Sequence, residues 1–162
     1  MPKPNEAYLQ ELLEAVNNSP FLKHLFMRLE SISLDNATVL LVISECHLQP
    51  FQIVHGGVLA TLIDTATFWA SFLRIPENAG LVNIDLKLNY LKTASNGILS
   101  ASGHCIKSGR TLSYAEAAVK NENGELMAHG TSTLLILPGK GIRLKSRKFL
   151  DGEHHLTDEL IL

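Results

Sequence analysis

The chain has 162 residues, of which 46% are hydrophobic and 19% are charged, and its formal net charge is −2. That length and apolar fraction fit one folded domain and exclude an intrinsically disordered chain. The slight negative charge and the 6% aromatic content argue against binding to nucleic acid or to an anionic membrane. Two distant cysteines match no zinc or redox spacing, and the first residues lack the pattern of a signal peptide. We therefore expect a cytoplasmic protein with reduced thiols.

The first part of the chain predicts a helix followed by a hairpin. Leucine and valine recur at helical spacing after Asn5, which can cap the helix, and Pro20 ends this segment. A short helical turn over residues 21–26 follows, and then two strands over residues 27–34 and 38–43. Because a tight turn separates the two strands, they are predicted to pair antiparallel.

The most apolar stretch of the chain runs from residue 57 to residue 73. Its length of about 17 residues exceeds that of an ordinary strand and falls short of a membrane span of about 20 residues. It also carries Asp64 and several hydroxyl side chains, so it predicts a helix and no membrane segment. A helix that is apolar on nearly every face must be surrounded, most simply by a sheet that curls round it.

Four strands are predicted in the second half of the chain. Apolar residues alternate with polar ones from Val82 to Tyr90, which is typical of a strand buried on one face. Short turns at residues 108–110 and 121–124 imply antiparallel neighbours. The fold class is therefore α+β, with an antiparallel sheet and an extra N-terminal helix, in a single domain over residues 1–138. The predicted strands cover residues 82–90, 97–107, 111–120 and 125–137.

The strongest candidate for chemistry is the start of the long helix. His55-Gly56-Gly57 opens this helix, and glycine lets a ligand approach the backbone closely. The first N–H groups of a helix lack intrahelical partners and have the positive end of the helix dipole behind them, an arrangement that stabilises a developing oxyanion. The structural alternative is that His55 only caps the helix and that the glycines only form a tight turn.

Asp64 is the second candidate, because no lysine or arginine of the helix can neutralise it. A buried carboxylate without a partner costs several kcal/mol. Asp64 is therefore either a hydrogen-bonded residue at a subunit contact or a catalytic nucleophile or general base. It lies about 12 Å from Gly56 along a helix, whereas both groups must lie within about 4 Å of one carbonyl carbon. If both are catalytic, a second subunit must supply one of them.

Three stretches of the chain closely resemble the hotdog-fold acyl-CoA thioesterases, in particular the phenylacetate-degradation (PaaI-type) and 4-hydroxybenzoyl-CoA thioesterase branch. They are QPFQIVHGGVLATLIDTATFWAS, VNIDLKLNYLKTAS and GHCIKSGRTLSYAEAAVKNENGELMAHGTSTLLIL. The resemblance spans residues 20 to 137 and implies the hotdog fold, a long central helix wrapped by a curved antiparallel sheet. It also implies homodimers with active sites at their interface, commonly paired into tetramers. No metal or other cofactor is expected, because CoA is part of the substrate.

The resemblance assigns roles to five residues. Asp64 falls where these enzymes place the catalytic carboxylate, and Asp rather than Glu resembles the PaaI-type branch. The Gly56 N–H falls where the thioester carbonyl is polarised, and His55 supports that turn. Gln49 falls on an Asn/Gln position that helps to hold the thioester or the water. Asn83 stands where relatives have a Ser or Thr that positions the attacking water, so this position departs from the family pattern.

Two further segments resemble those along which the CoA arm lies in this family, and Gly57 is also predicted to bind the substrate. The first is the strand end along which pantetheine lies, and the second is a basic Ser-Gly turn that meets the nucleotide and its phosphates, with an ordinary basic hairpin as the alternative. The basic run over residues 140–148, in the expected tail over residues 139–162, is either solvated or a contact to the 3′-phosphate of CoA in a neighbouring subunit. The predicted binding residues are Gly57, Tyr90, Leu91, Lys92, Thr93, Ala94, Ser95, Lys107, Ser108, Gly109, Arg110, Thr111 and Leu112.

The predicted function is hydrolysis of acyl-CoA thioesters to free acid and CoA. A hotdog hydratase or dehydratase with His55 as base is one alternative, and a non-catalytic acyl-CoA binding protein is another. Asp64 argues against simple binding, because an apolar acyl chain needs no carboxylate. The residues expected to line an acyl pocket are Phe68, Trp69, Phe72 and those near Phe51.

Overall fold

The computed structural model describes residues 3–150, which form an antiparallel sheet of six strands wrapped round one long helix. Two shorter helices, α1 (Glu6–Asn17) and α2 (Pro20–His24), precede the sheet, and the long helix is α3 (Gly56–Phe72). The predicted α+β class is confirmed, and the predicted helices and strands are all present within a few residues of their expected bounds. The strands are β1 (Met27–Ser33), β2 (Asn36–Val42), β3 (Ala79–Tyr90), β4 (Ile98–Ser108), β5 (Leu112–Asn121) and β6 (Leu126–Pro138).

The sheet has the strand order β1–β2–β4–β5–β6–β3, and every neighbouring pair is antiparallel. The long helix α3 packs in its concave face and contacts all six strands, which explains why its sequence is apolar on nearly every side. A Cβ atom on Gly103 of β4 would lie 2.2 Å from the carbonyl oxygen of Ala66, so the helix rests directly on the sheet backbone there. Among residues 3–150, no helix has the length and apolarity needed to cross a membrane.

The strand β3 departs from the predicted regular alternation because it contains a β-bulge. Asn83 pairs with Leu134 and Asp85 pairs with Thr133, which leaves Ile84 as an extra residue in the ladder. An extra residue changes which side chains face the core on the two sides of the bulge. Asn83 therefore faces α3 together with the even-numbered residues that follow the bulge. The prediction that Val82 and Ile84 lie on the buried face is wrong, since their side chains are 41% and 56% exposed.

The two edges of the sheet differ in how they are covered. On β1, the helices α1 and α2 pack over the strand. The side chain of Asn17 accepts from the Leu29 N–H at 2.8 Å and donates to the Leu29 carbonyl at 3.0 Å. Among the described residues, no further strand pairs with the outer edge of β3, and Val82 and Ile84 are 41% and 56% exposed. An exposed edge with apolar side chains is one that proteins ordinarily cover.

The basic segment after β6 folds back onto the domain. Lys148 is fully buried, and its Nζ donates to the carbonyls of Phe72 at 2.5 Å and Ile75 at 2.8 Å, at the C-terminal end of α3. Its own carbonyl accepts from the Asn5 N–H at 3.0 Å. The expectation of a solvated run is therefore wrong for Lys148, although the other basic side chains of this segment are exposed or half-buried. The domain boundary at residue 138 stays a prediction, and residues 151–162 of the expected tail lie outside the described range.

Candidate active site

The first turn of α3 presents one free backbone donor. His55 caps the helix, since its Nδ1 accepts from the Gly57 N–H at 2.9 Å and its carbonyl accepts from the Val58 N–H at 2.9 Å. The Gly56 N–H, at the first helical position, has no intrahelical partner, and among the described residues no other group accepts from it. The capping role considered for His55 is thus present, and the Gly56 N–H is left for a ligand.

A cleft with a volume of about 210 Å³ adjoins Gly56. Six residues predicted to act or bind lie in its wall, and Ile53 and Val54 belong to the residues near Phe51 that were expected at an acyl pocket. Leu59 and Met127 were not predicted. Leu59 lies about one helical turn after Gly56, a spacing that the sequence shows, whereas Met127 joins the wall through the pairing of distant strands and has no local signal. The lining residues are Gln49, Ile53, Val54, Gly56, Leu59, Tyr90, Lys92, Thr93, Ala94 and Met127.

Tyr90 lies against the start of α3. A Cβ atom on Gly56 would lie 3.1 Å from Tyr90 Cζ and 3.2 Å from Tyr90 Oη. Because that contact is tighter than ordinary van der Waals packing, a glycine at position 56 lets the ring sit where it does. Tyr90 therefore forms part of the cleft wall directly beside the free Gly56 N–H.

Asp64 lies about two turns further along α3, half-buried against β3. The Asn83 Nδ2 donates a hydrogen bond to Asp64 Oδ1. The Asn83 Oδ1 is buried, and within residues 3–150 it has no hydrogen-bond partner. A buried acceptor without a donor costs about 1–3 kcal/mol, so a donor from water or from another molecule would stabilise this pair.

The structure keeps the two candidate groups apart. Gly56 and Asp64 both belong to α3 and are separated by about 12 Å along its axis. Their contacts on β3, Tyr90 and Asn83, are separated by about 20 Å of strand. Within one chain, the free N–H and the carboxylate therefore do not meet.

The two predicted CoA segments lie at opposite ends of the sheet. Leu112 pairs with Leu135 and Tyr90 pairs with Ala128, so about 24 Å of β6 separates the two levels. Only the segment that begins at Tyr90 adjoins the cleft within one chain. Three of the other predicted binding residues, Gly57, Leu91 and Ser95, are exposed outside the cleft wall.

Two of the aromatic residues expected in an acyl pocket belong to the core. Trp69 and Phe72 are 9% and 1% exposed, and their ring centroids lie 5.0 Å apart. The Lys148 Nζ also lies 4.4 Å from the centroid of the Phe72 ring. The expectation that these two residues line a pocket is therefore wrong in this chain. Phe68 is half-buried and Phe51 is exposed.

Few charges surround the cleft. The basic residue in its wall, Lys92, pairs with Glu125 at 2.7 Å, and this bond holds the pKa of Glu125 below its ordinary value. No group of three or more His, Cys, Asp or Glu side chains in the described part of the chain has the arrangement of a metal site.

One long helix wrapped by a curved antiparallel sheet, with a glycine-rich helix start that opens on a cleft, defines a hotdog-fold protein. Residues 51–128 match the family model described as the thioesterase superfamily. The chain is therefore similar to this superfamily over 78 of its 162 residues, just under half of its length.

Known proteins support this assignment. A protein named as an esterase in Caenorhabditis elegans is 29% identical over 102 residues, which are 62% of this chain and 60% of that protein. The acyl-coenzyme A thioesterase 13 of Homo sapiens is 26% identical over 129 residues, which are 77% of this chain and 91% of that protein. A crystal structure of a thioesterase from Haemophilus influenzae has a TM-score of 0.76 at 24% identity, covering 85% of this chain and 96% of that one. The hotdog fold indicated by the sequence motifs is therefore confirmed.

Proposed function

We propose that the protein hydrolyses acyl-CoA thioesters to the free acid and CoA, at a site that two copies of the chain form together. The observation that carries this proposal is the separation of the Gly56 N–H from the Asp64 carboxylate along one helix. The N–H can stabilise the oxyanion, and the carboxylate can act as nucleophile or general base. Both groups must reach the same thioester carbonyl. The acyl-CoA substrate class is supported by the similarity to a protein named as an acyl-coenzyme A thioesterase.

The exposed edge of β3 offers a way to join the two halves. Two β3 strands can pair antiparallel so that Asn83 of one chain faces Tyr90 of the second copy, which also covers the exposed Val82 and Ile84. Since Tyr90 lies on Gly56 and Asn83 lies on Asp64 within each chain, this pairing brings Gly56 of one copy level with Asp64 of the other. A two-fold axis then generates two equivalent sites.

The chemistry follows from the two groups. The thioester carbonyl oxygen accepts a hydrogen bond from the Gly56 N–H, and the positive end of α3 stabilises the oxyanion as it forms. As a nucleophile, Asp64 of the second copy adds to the carbonyl carbon, CoA leaves as its thiolate, and water hydrolyses the resulting anhydride. As a general base, Asp64 takes a proton from water, the hydroxide adds to the carbonyl, and the intermediate expels CoA thiolate, which then receives the proton.

The surrounding residues fit supporting roles. Asn83 holds one oxygen of Asp64, and its unpartnered Oδ1 is suited to accept a hydrogen bond from the attacking water. Gln49 in the cleft wall is suited to hold the thioester. The segment from Tyr90 to Ser95 of one copy and the basic turn from Lys107 to Leu112 of the other are proposed to share the CoA arm, with the basic side chains facing the phosphates.

Release of CoA thiol from a panel of acyl-CoAs tests the reaction. We expect thiol release from at least one acyl class, with the rate saturating in acyl-CoA. Binding of acyl-CoA without thiol release from any class would instead support a carrier or sensor. Hydration of an enoyl-CoA without thiol release would support the hydratase alternative.

Mixing two inactive variants tests the shared site. Asp64→Asn lacks the carboxylate, and Gly56→Val forces side-chain atoms into the space next to Tyr90. If the site is shared, mixed dimers hold one intact site each, and reassociation should restore about a quarter of the wild-type activity. If each site lies within one chain, the mixture stays inactive. Tagged and untagged wild-type protein, mixed and recovered through the tag, serves as the control for exchange of subunits.

A further inference from the structure

Tyr90 places a free hydroxyl group at the start of α3. Its Oη lies 3.2 Å from the position that a Cβ atom of Gly56 would occupy. In a helix the Cα–Cβ bond tilts toward the N-terminus, which is also the direction in which the first N–H groups point. The phenol oxygen therefore lies beside the residue that carries the free N–H.

The backbone of this turn does not supply a second donor. The Gly57 N–H is bonded to His55 Nδ1 and the Val58 N–H is bonded to the His55 carbonyl. An oxyanion that meets α3 thus finds one backbone donor, on Gly56, whereas an alkoxide-like oxygen has room for two or three hydrogen bonds. A side chain in the cleft wall can supply a second donor.

The Tyr90 hydroxyl is available for this bond. Within residues 3–150 it makes no hydrogen bond, and its ring contacts the helix start from a wall that also includes Val54, Leu59 and Met127. Tyr90 is 57% exposed in the single chain. Because its hydroxyl has no partner there, it can donate to a ligand without giving up another hydrogen bond.

We propose that the Tyr90 hydroxyl is the second hydrogen-bond donor to the thioester carbonyl oxygen, beside the Gly56 N–H. This role rests on the proposed thioesterase function. In this role the Tyr90 hydroxyl donates a hydrogen bond to the oxyanion and transfers no proton. The role differs from lining the path of pantetheine, since it belongs to the hydroxyl and not to the ring.

Tyr90→Phe tests the role, because it removes the hydroxyl and keeps the ring. We expect kcat for thiol release to fall about 100-fold, as for the loss of one oxyanion donor. The KM should change little, since the bond strengthens mainly as charge develops on the oxygen. Tyr114→Phe, on a half-exposed tyrosine of β5 that does not line the cleft, is the matched control and should leave both constants unchanged. The hydroxyl has no partner to lose, so folding should be retained, which circular dichroism checks.

A second readout separates hydrogen bonding from packing. A ketone analogue of acyl-CoA, with a methylene group in place of sulfur and a ¹³C label in the carbonyl, reports hydrogen bonds to its oxygen through the ¹³C shift. The bound shift should move downfield in the wild type and less so in Tyr90→Phe. Equal shifts, or an unchanged kcat in Tyr90→Phe, would overturn the role, as would a loss confined to KM. If the wild type releases no CoA from any acyl-CoA, the proposed function itself fails and this role fails with it.

Discussion

Asn83 and Tyr90 both face α3, although their positions along β3 differ by seven, an odd number. In a regular strand, residues an odd number apart point to opposite faces of the sheet. The bulge at Ile84 supplies the one extra residue that brings them to the same face. As a result, one strand contacts one helix at two points, with Asn83 on Asp64 and Tyr90 on Gly56.

The hydrogen bond from Asn83 to Asp64 predicts a partial loss of activity when it is removed. In Asn83→Ala, Asp64 Oδ1 loses its donor and the nearby water loses an acceptor, so we expect kcat to fall roughly 10- to 100-fold. Asn83→Ser, which places a hydroxyl group there, should recover part of this loss. Thiol-release kinetics measure both variants, with size-exclusion chromatography as the control for assembly. An alanine variant with the wild-type kcat would remove Asn83 from the mechanism.

The capping hydrogen bond of His55 predicts that substitution of this residue lowers stability more than it lowers activity. His55→Ala removes the acceptor for the Gly57 N–H, and loss of such a cap costs about 0.5–2 kcal/mol of unfolding free energy. His55→Asn retains a capping side chain, so it should restore most of the stability and keep most of the turnover. Urea denaturation and thiol release test the pair. A well-folded asparagine variant without turnover would show that the imidazole itself takes part in the reaction.

The buried Lys148 predicts that stability rises with pH. Burial lowers the pKa of Lys148 from 10.5 to about 7, while the Glu77 charge acts in the opposite direction. Between these two values the unfolded lysine is protonated and the folded lysine is not, so unfolding takes up a proton. The free energy of unfolding therefore increases with pH across this window, by up to about 1.4 kcal/mol per pH unit. Below pH of about 7 both states carry the proton, and the contribution no longer changes.

Urea denaturation of the wild type and of Lys148→Met measures this dependence. Methionine keeps a long unbranched side chain but does not titrate, so the difference between the two proteins isolates Lys148 from the other groups. The wild type should gain stability relative to the variant between about pH 7 and about pH 9.5. A difference that is the same at every pH in this range would contradict the assignment.

The contact between Gly103 and α3 predicts a large cost for one added methyl group. A Cβ atom there would lie 2.2 Å from the Ala66 carbonyl oxygen, so Gly103→Ala must push the helix off the sheet and should cost about 1–3 kcal/mol or more. Gly109→Ala is the matched control, since its Cβ atom would lie 3.5 Å from the nearest atom, the Leu112 carbonyl oxygen. Thermal unfolding compares the two variants. Equal midpoints would show that the helix can shift without cost.

The sequence predicted the elements that local patterns control. The uniform apolar run that follows Gly57 identified α3 and its position inside a sheet, because a helix without a polar face has to be surrounded. The short turns identified the antiparallel strands, because few residues separate their ends. The spacing of Gly56 and Asp64 also predicted that one helix cannot bring both to one carbon, since the helical rise alone fixes their distance.

The remaining features depend on contacts between distant parts of the chain. The bulge at Ile84 follows from the register of β3 against β6, and the alternating residues of β3 predicted a regular strand instead. In the sequence, Lys148 looks like the other basic residues of its run. Its burial depends on contacts with the distant end of α3. Met127 joins the cleft because the N–H groups of Leu91 and Lys92 donate to its carbonyl, a pairing that no short motif encodes.

The extra residue at position 84 also bears on how relatives of this chain are compared. An alignment that omits a one-residue gap in this strand will match Asn83 with a side chain that points away from the helix in a homologue with a regular ladder. Matching positions by the side of the sheet that they face, and not by their count from Gly56 and Gly57, identifies the residue that occupies the same place in the homologue. A survey that assigns residue roles from alignment columns without this gap would misjudge which thioesterase-like proteins have a polar group beside the carboxylate.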